Sequence, residues 1–201
     1  MKTLFLSAVV AGVMAYHGVT SAKAAMVIGI NQVGSNVVAT GSGSIDTTYL
    51  TLVVAGSGFT TASMNPSLGE IAMTSASPLD WYSGLTGPAS FGSDGTTLAN
   101  TSSGDAFTLE AVVDVIGVPH GYVSGNALSD SATYNSTTLT MLGLTPGTYV
   151  WNWGSGAHAD NVTLQIGPVV TPLPTALPLF ASGLGALGLL GWRRKKRATA
   201  A

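Results

Sequence analysis

Apolar positions along the chain fall into three regimes. Leu4 to Ala15 is one continuous apolar run, and so is Leu177 to Trp192 apart from its glycines. Between them, short apolar runs rich in Val, Ile, Leu, Thr and Tyr alternate with Gly, Ser, Asn and Asp. No sustained 3.6-residue period occurs there, and this punctuation is that of strands joined by turns. The pattern predicts strands at 26–32, 36–40, 49–55, 70–74, 106–116, 137–142, 148–153 and 161–166. The expected fold is all-β: a single β-sandwich-like domain, Greek-key or jelly-roll, over residues 25–170. A chain of that size can bury roughly two-thirds of its surface, enough for a true core.

Within the body, residues 106–116 (AFTLEAVVDVI) alternate in part, which predicts Phe107, Leu109, Ala111 and Val113 on one face and Thr108, Glu110 and Asp114 toward solvent. Thr163 and Gln165 alternate with Val162, Leu164 and Ile166 in the same way. Leu144-Thr145-Pro146-Gly147-Thr148-Tyr149 couples a Pro-Gly turn to a tyrosine, like the corner of Greek-key sandwiches where a tyrosine hydroxyl ties loop to strand. Residues 83–104 carry few large apolar groups and read as a long exposed loop.

The two ends carry targeting features. Lys2, the run Leu4–Ala15 and the small residues of Ala22-Lys23-Ala24 form a secretory signal peptide over residues 1–24, with cleavage after Ala24 leaving Ala25 as the mature N-terminus. A signal peptidase is the implied partner. At the other end a proline-rich break, Thr171-Pro172-Leu173-Pro174, precedes the apolar run 177–192 and the basic cluster Arg193, Arg194, Lys195, Lys196 and Arg197. The stretch from Leu173 to Trp192 is uncharged. As a helix at about 1.5 Å per residue it spans roughly 30 Å, the thickness of a bilayer core. The basic cluster should stay cytoplasmic with the body outside. Gly183, Gly185, Gly188 and Gly191 reduce the hydrophobic surface of this helix and allow another helix to approach closely.

In order and composition, residues 171–197 (TPLPTALPLFASGLGALGLLGWRRKKR) resemble the PEP-CTERM sorting signal in its Pro-Leu-Pro variant. Leu173 stands where the name-giving motif has Glu. The resemblance implies recognition by an exosortase-type membrane protease, cleavage near Pro172–Pro174, and transfer of the body to the cell surface or its release. It also implies association with exopolysaccharide, which accompanies such systems in Gram-negative bacteria. A permanent single-pass anchor is the alternative reading of the same segment.

Charge sharpens this picture. The seven Lys and Arg lie at Lys2, Lys23 and 193–197, whereas all nine Asp and Glu lie in the body. A body without Lys or Arg cannot neutralise phosphates, which excludes nucleic-acid binding, and it holds no P-loop lysine. Absence of cysteine excludes disulfides, thiol nucleophiles and Cys-based zinc sites. No cofactor is expected; calcium is chemically reasonable at Asp46, Asp94, Asp105 or Asp130, in Gly/Ser/Thr-rich segments, whereas His158-x-Asp160, as two ligands, falls far short of a zinc site.

Few residues suggest chemistry. Trp81-Tyr82 reads as an exposed platform for a sugar ring; Trp151 and Trp153 share one strand face and serve the same purpose only if that face is not the core. His158-x-Asp160 and His120 are the candidates for a catalytic pair or a general base, and polar turns explain both more simply. No G-x-S-x-G elbow occurs. The expectation is therefore a non-enzymatic, exported surface or matrix protein. A carbohydrate-binding module is the first alternative and a secreted hydrolase the second.

Overall fold

A computed structural model describes residues 25–168 except 59, 76 and 77. The leader, the Pro-Leu-Pro motif, the apolar run 177–192 and the basic cluster lie outside the described residues. Thirteen strands are present among those described. They are β1 (Met26–Val33), β2 (Asn36–Ser44), β3 (Thr51–Ser57), β4 (Ser63–Asn65), β5 (Glu70–Ala72), β6 (Leu79–Ser83) and β7 (Thr97–Leu98). The chain continues through β8 (Thr101–Gly104), β9 (Thr108–Glu110), β10 (Val115–Pro119), β11 (Ala127–Tyr134), β12 (Gly147–Trp153) and β13 (Asp160–Ile166). The only helical elements described are 3-10 turns of three residues, so the described body is all-β as expected. No helix among the described residues is long and apolar enough to cross a membrane.

The strands form two sheets, ordered β12-β13-β1-β2-β11-β8 and β3-β6-β10-β9-β5-β4-β7. Every named pair is antiparallel except β1 with β13, which aligns Met26 with Val162 and Ile30 with Ile166. The period-2 pattern explains this pairing: Met26, Ile28 and Ile30 of β1 and Val162, Leu164 and Ile166 of β13 turn to one face and are buried. They join Ile71, Leu109, Ile116 and Val118 of the second sheet, and Phe107 just before β9, in one apolar cluster, so the core lies between the sheets.

Several strand expectations need correction. Residues 106–116 are not one strand. β9 ends at Glu110, Ala111–Val113 make a 3-10 turn, Asp114 takes a left-handed conformation (φ 55°), and β10 returns alongside β9. Phe107, Leu109 and Ala111 are buried, but Val113 is exposed because it sits in the turn, and Thr108, expected toward solvent, is buried as well. Residues 137–142 form turns, with Leu142 N–H donating to Thr138 O and Gly143 N–H to Thr140 O. The segment 83–104 is no simple exposed loop: Leu85 and Phe91 are buried and β7 and β8 lie within it. β4, β6 and β11 are additional to those expected; β4 and β6 are short and β11 is mostly small or polar, and pairing by the neighbouring strands compensates for weak local signals. At the Pro-Gly corner, Tyr149 Oη donates to Thr145 O at 3.0 Å, the tie that the motif suggests.

Candidate functional site

The three described tryptophans have different surroundings. Trp151 and Trp153 are buried, and their indole N–H groups donate to Pro88 O (2.9 Å) and Asp46 O (2.7 Å). Both therefore hold segments of the core together and offer no face to a ligand. In β6, Asp80 and Tyr82 oppose Val118 and Ile116, whose side chains are in the core, so Tyr82 packs inward. Trp81, between them, turns to the outer face, where its direct cross-strand partner is Gly117. The missing side chain lets the indole lie on the strand: a Cβ on Gly117 would come within 3.2 Å of the ring.

Trp81 is held from the other side by β3, since its Nε1–H donates to Ser57 O at 3.2 Å. β3 slips one residue against β6, pairing Leu52 with Tyr82 and Val54 with Trp81, so that Val53 is extra. Such a bulge re-aims side chains, and Val53 and Val54 both line the groove beside the indole. The groove is shallow, about 410 Å³, and is completed by Ser57, Gly58, Glu110 and Val115. Glu110 sits opposite Val115 on one side and Glu70 on the other. Burial, with the nearby Glu70 charge adding to it, pushes the Glu110 carboxyl above its ordinary range. A partly exposed indole flanked by a carboxyl group and a carbonyl is suited to a ligand with one apolar face and peripheral hydroxyls.

The two described histidines are each oriented by a buried carboxylate distant in sequence. His158 does not pair with Asp160; its Nδ1 lies 2.9 Å from Asp46 Oδ2. Asp46 Oδ1 also accepts from Thr48 N–H and Ser124 Oγ, while Asp160 Oδ2 accepts from Asp46 N–H at 2.7 Å. His120 Nδ1 lies 2.8 Å from Asp80 Oδ1, and the same carboxylate accepts from Gly56 and Gly121 N–H. Burial pushes the Asp80 carboxyl up, but these three hydrogen bonds and the His120 charge outweigh it and hold it below the ordinary range. Engagement of Nδ1 turns Nε2 of each imidazole away from its carboxylate.

The acids considered for calcium are dispersed. Asp94 Oδ1 accepts from Gly95 N–H and Asp105 Oδ2 from Ser129 N–H. Asp130 is not in a loop: it is in β11, facing the core between Leu128 and Ala132. No group of three or more potential ligands comes together among the described residues.

Sequence reasoning found Trp81 but missed Gly117, Val53, Val54 and Glu110. They reach the indole through cross-strand register and a bulge, for which the linear sequence carries no signal. Asp80 and Asp46 were likewise invisible as histidine partners, because the contacts span 40 and 112 residues. No family model, curated protein or solved structure shows significant similarity to this chain.

Proposed function

We propose that this chain is an exported surface or matrix protein: an acidic β-sandwich carried out by its leader, arrested by its apolar tail, and passed to the cell surface or released by a sorting protease. The segregation of charge supports this reading most directly. Every Lys and Arg lies at the two ends, and every acid lies in the folded body between them. A body with nine carboxylates and no Lys or Arg stays hydrated and repels its neighbours, properties suited to a polysaccharide-rich matrix. In this reading the role is structural rather than enzymatic, with the imidazoles of His120 and His158 engaged at Nδ1 by Asp80 and Asp46 within the fold. Changing Arg193–Arg197 to serine should leave the body intact and abolish arrest in the membrane with the tail inside. Protease accessibility of the two ends in spheroplasts reads that outcome, and unchanged sorting would contradict the assignment of the tail.

A second reading, carbohydrate binding, is favoured by the outward setting of Trp81 over Gly117. The class of ligand is a neutral or weakly charged polysaccharide, because the anionic body disfavours strongly acidic chains. Trp81→Ala should abolish retention on the host's exopolysaccharide and leave the far-ultraviolet spectrum unchanged. Equal retention of variant and wild type would remove the groove from consideration.

A further inference from the structure

Each sheet has two edges, and an open edge invites pairing with another strand unless it is short, charged, interrupted or covered. Three of the four are protected in one of these ways. Along β12, Thr86 and Asn152 exchange both backbone hydrogen bonds (3.0 and 2.9 Å), and Trp151 bonds Pro88 in the same segment. β8 has four residues, Thr-Ser-Ser-Gly, and β7 has two.

β3 differs from all of them. It has seven residues, Thr-Leu-Val-Val-Ala-Gly-Ser, every one exposed, with Leu52, Val53 and Val54 between 42% and 56% accessible. It contains neither proline nor charge, and among the described residues no backbone pairs with its outer side. Two register shifts bend it, yet the one at Val53–Val54 adds an apolar side chain to the exposed surface.

We propose that β3 is the contact edge of a symmetric dimer, pairing antiparallel with β3 of a second copy so that the second sheet runs on across both. Charge selects this occupant. Two copies of so acidic a body can meet only where carboxylates are absent, and no charged residue occurs between Asp46 and Glu70. An uncharged, β-branched strand meeting itself joins apolar groups to apolar groups and completes both backbone ladders. A polysaccharide offers no amide ladder to such an edge. An antiparallel pair related by a two-fold axis perpendicular to the sheet uses one edge per copy, so assembly closes at two and forms no filament.

The contact is small. Stable interfaces bury about 800 Å² on each partner, more than one bent strand of seven residues supplies. The dimer is accordingly weak in dilute solution and is populated where copies are concentrated, as on one surface.

The absence of cysteine makes the test direct. Single cysteines are placed in the full-length protein at Leu52, Val53 and Val54, and at Val123, which is 62% exposed and outside the strands. Mild oxidation should give a disulfide-linked dimer that peaks at one β3 position, nearest the two-fold axis, with none at Val123. Adding Val53→Lys to V54C should abolish that dimer, because it brings two cations to the shared apolar edge, while the far-ultraviolet spectrum stays that of the wild type. Cross-linking at Val123 equal to that in β3 would mean association through another surface. That result, or an absence of dimer at all three β3 positions, would overturn the proposal.

Discussion

Asp130 is the residue whose setting departs most from ordinary rules. Its side chain is 6% exposed on the core face of β11, and neither carboxylate oxygen has a hydrogen-bond partner. Glycines at both cross-strand positions, Gly41 and Gly104, leave room for it; a Cβ on Gly41 would collide with the carboxylate. Burial, reinforced by the Asp105 charge, pushes its carboxyl up to about 7; the Gly41 amide lies near but falls short of hydrogen-bond geometry. The folded protein thus keeps a proton that the unfolded chain, with an ordinary value of 3.8, has already released. Stability from this group is complete below the lower value and is lost as pH rises toward the upper one. The melting temperature of the wild type should fall between about pH 4 and pH 7 relative to Asp130→Asn, and the difference should level off above that window. Parallel profiles for the two proteins would contradict this. Asp80 acts with the opposite sign: its lowered value makes its contribution present above 3.8 and lost in stronger acid, outside the same window.

Elements were legible where both local pattern and burial agree. β13 and most of β1 follow their alternating residues, and β12 does so at its Trp151–Trp153 end, because these positions bury one face. The run 106–116 misled because its apolar residues continue through a turn. Only the left-handed Asp114 and the return of β10 reveal the hairpin, and neither has a strong signature in a sequence of valines and isoleucine. β3 was legible as a strand but not as an edge, since edge status depends on sheet order. The same limit hid the Trp81 groove: Gly117 follows the indole by 36 positions, and only pairing of β6 with β10 makes them neighbours.

The corner at Pro146–Gly147 is an element that can be tested singly. Tyr149→Phe removes the hydroxyl bond to Thr145 O and keeps the ring against Phe91, at 6.2 Å between centroids. The loss should be about 0.5–1.5 kcal/mol, a fall of a few degrees in melting temperature. By contrast Trp151→Ala removes a fully buried ring and leaves Pro88 O without its donor; a cost of about 3–5 kcal/mol is expected, enough to unfold much of the population near 37 °C. Denaturant titration separates the two cases.

For the whole molecule, the body and the ends divide the work. The body's strands need no metal, disulfide or cofactor to explain their packing; the shared core of the two sheets accounts for it. In the proposed reading the ends decide destination, and the groove at Trp81 and the bare edge of β3 are the surfaces through which a displayed body would meet its surroundings. Because the body carries only acids, crowding of copies should ease with added salt, which screens repulsion over about 8 Å at physiological ionic strength. Light scattering of the purified protein across a salt series should therefore show weaker repulsion at higher salt, and salt-independent scattering would contradict it.

The most direct test of the proposed export and sorting is the intact mass of the native protein, measured separately in membrane and surface or medium fractions of its host. A species that begins at Ala25 and ends near Pro172–Pro174, found at the surface or in the medium, is the predicted result. A species that retains Arg197 and stays in the inner membrane would mean a permanent anchor and would contradict sorting by cleavage.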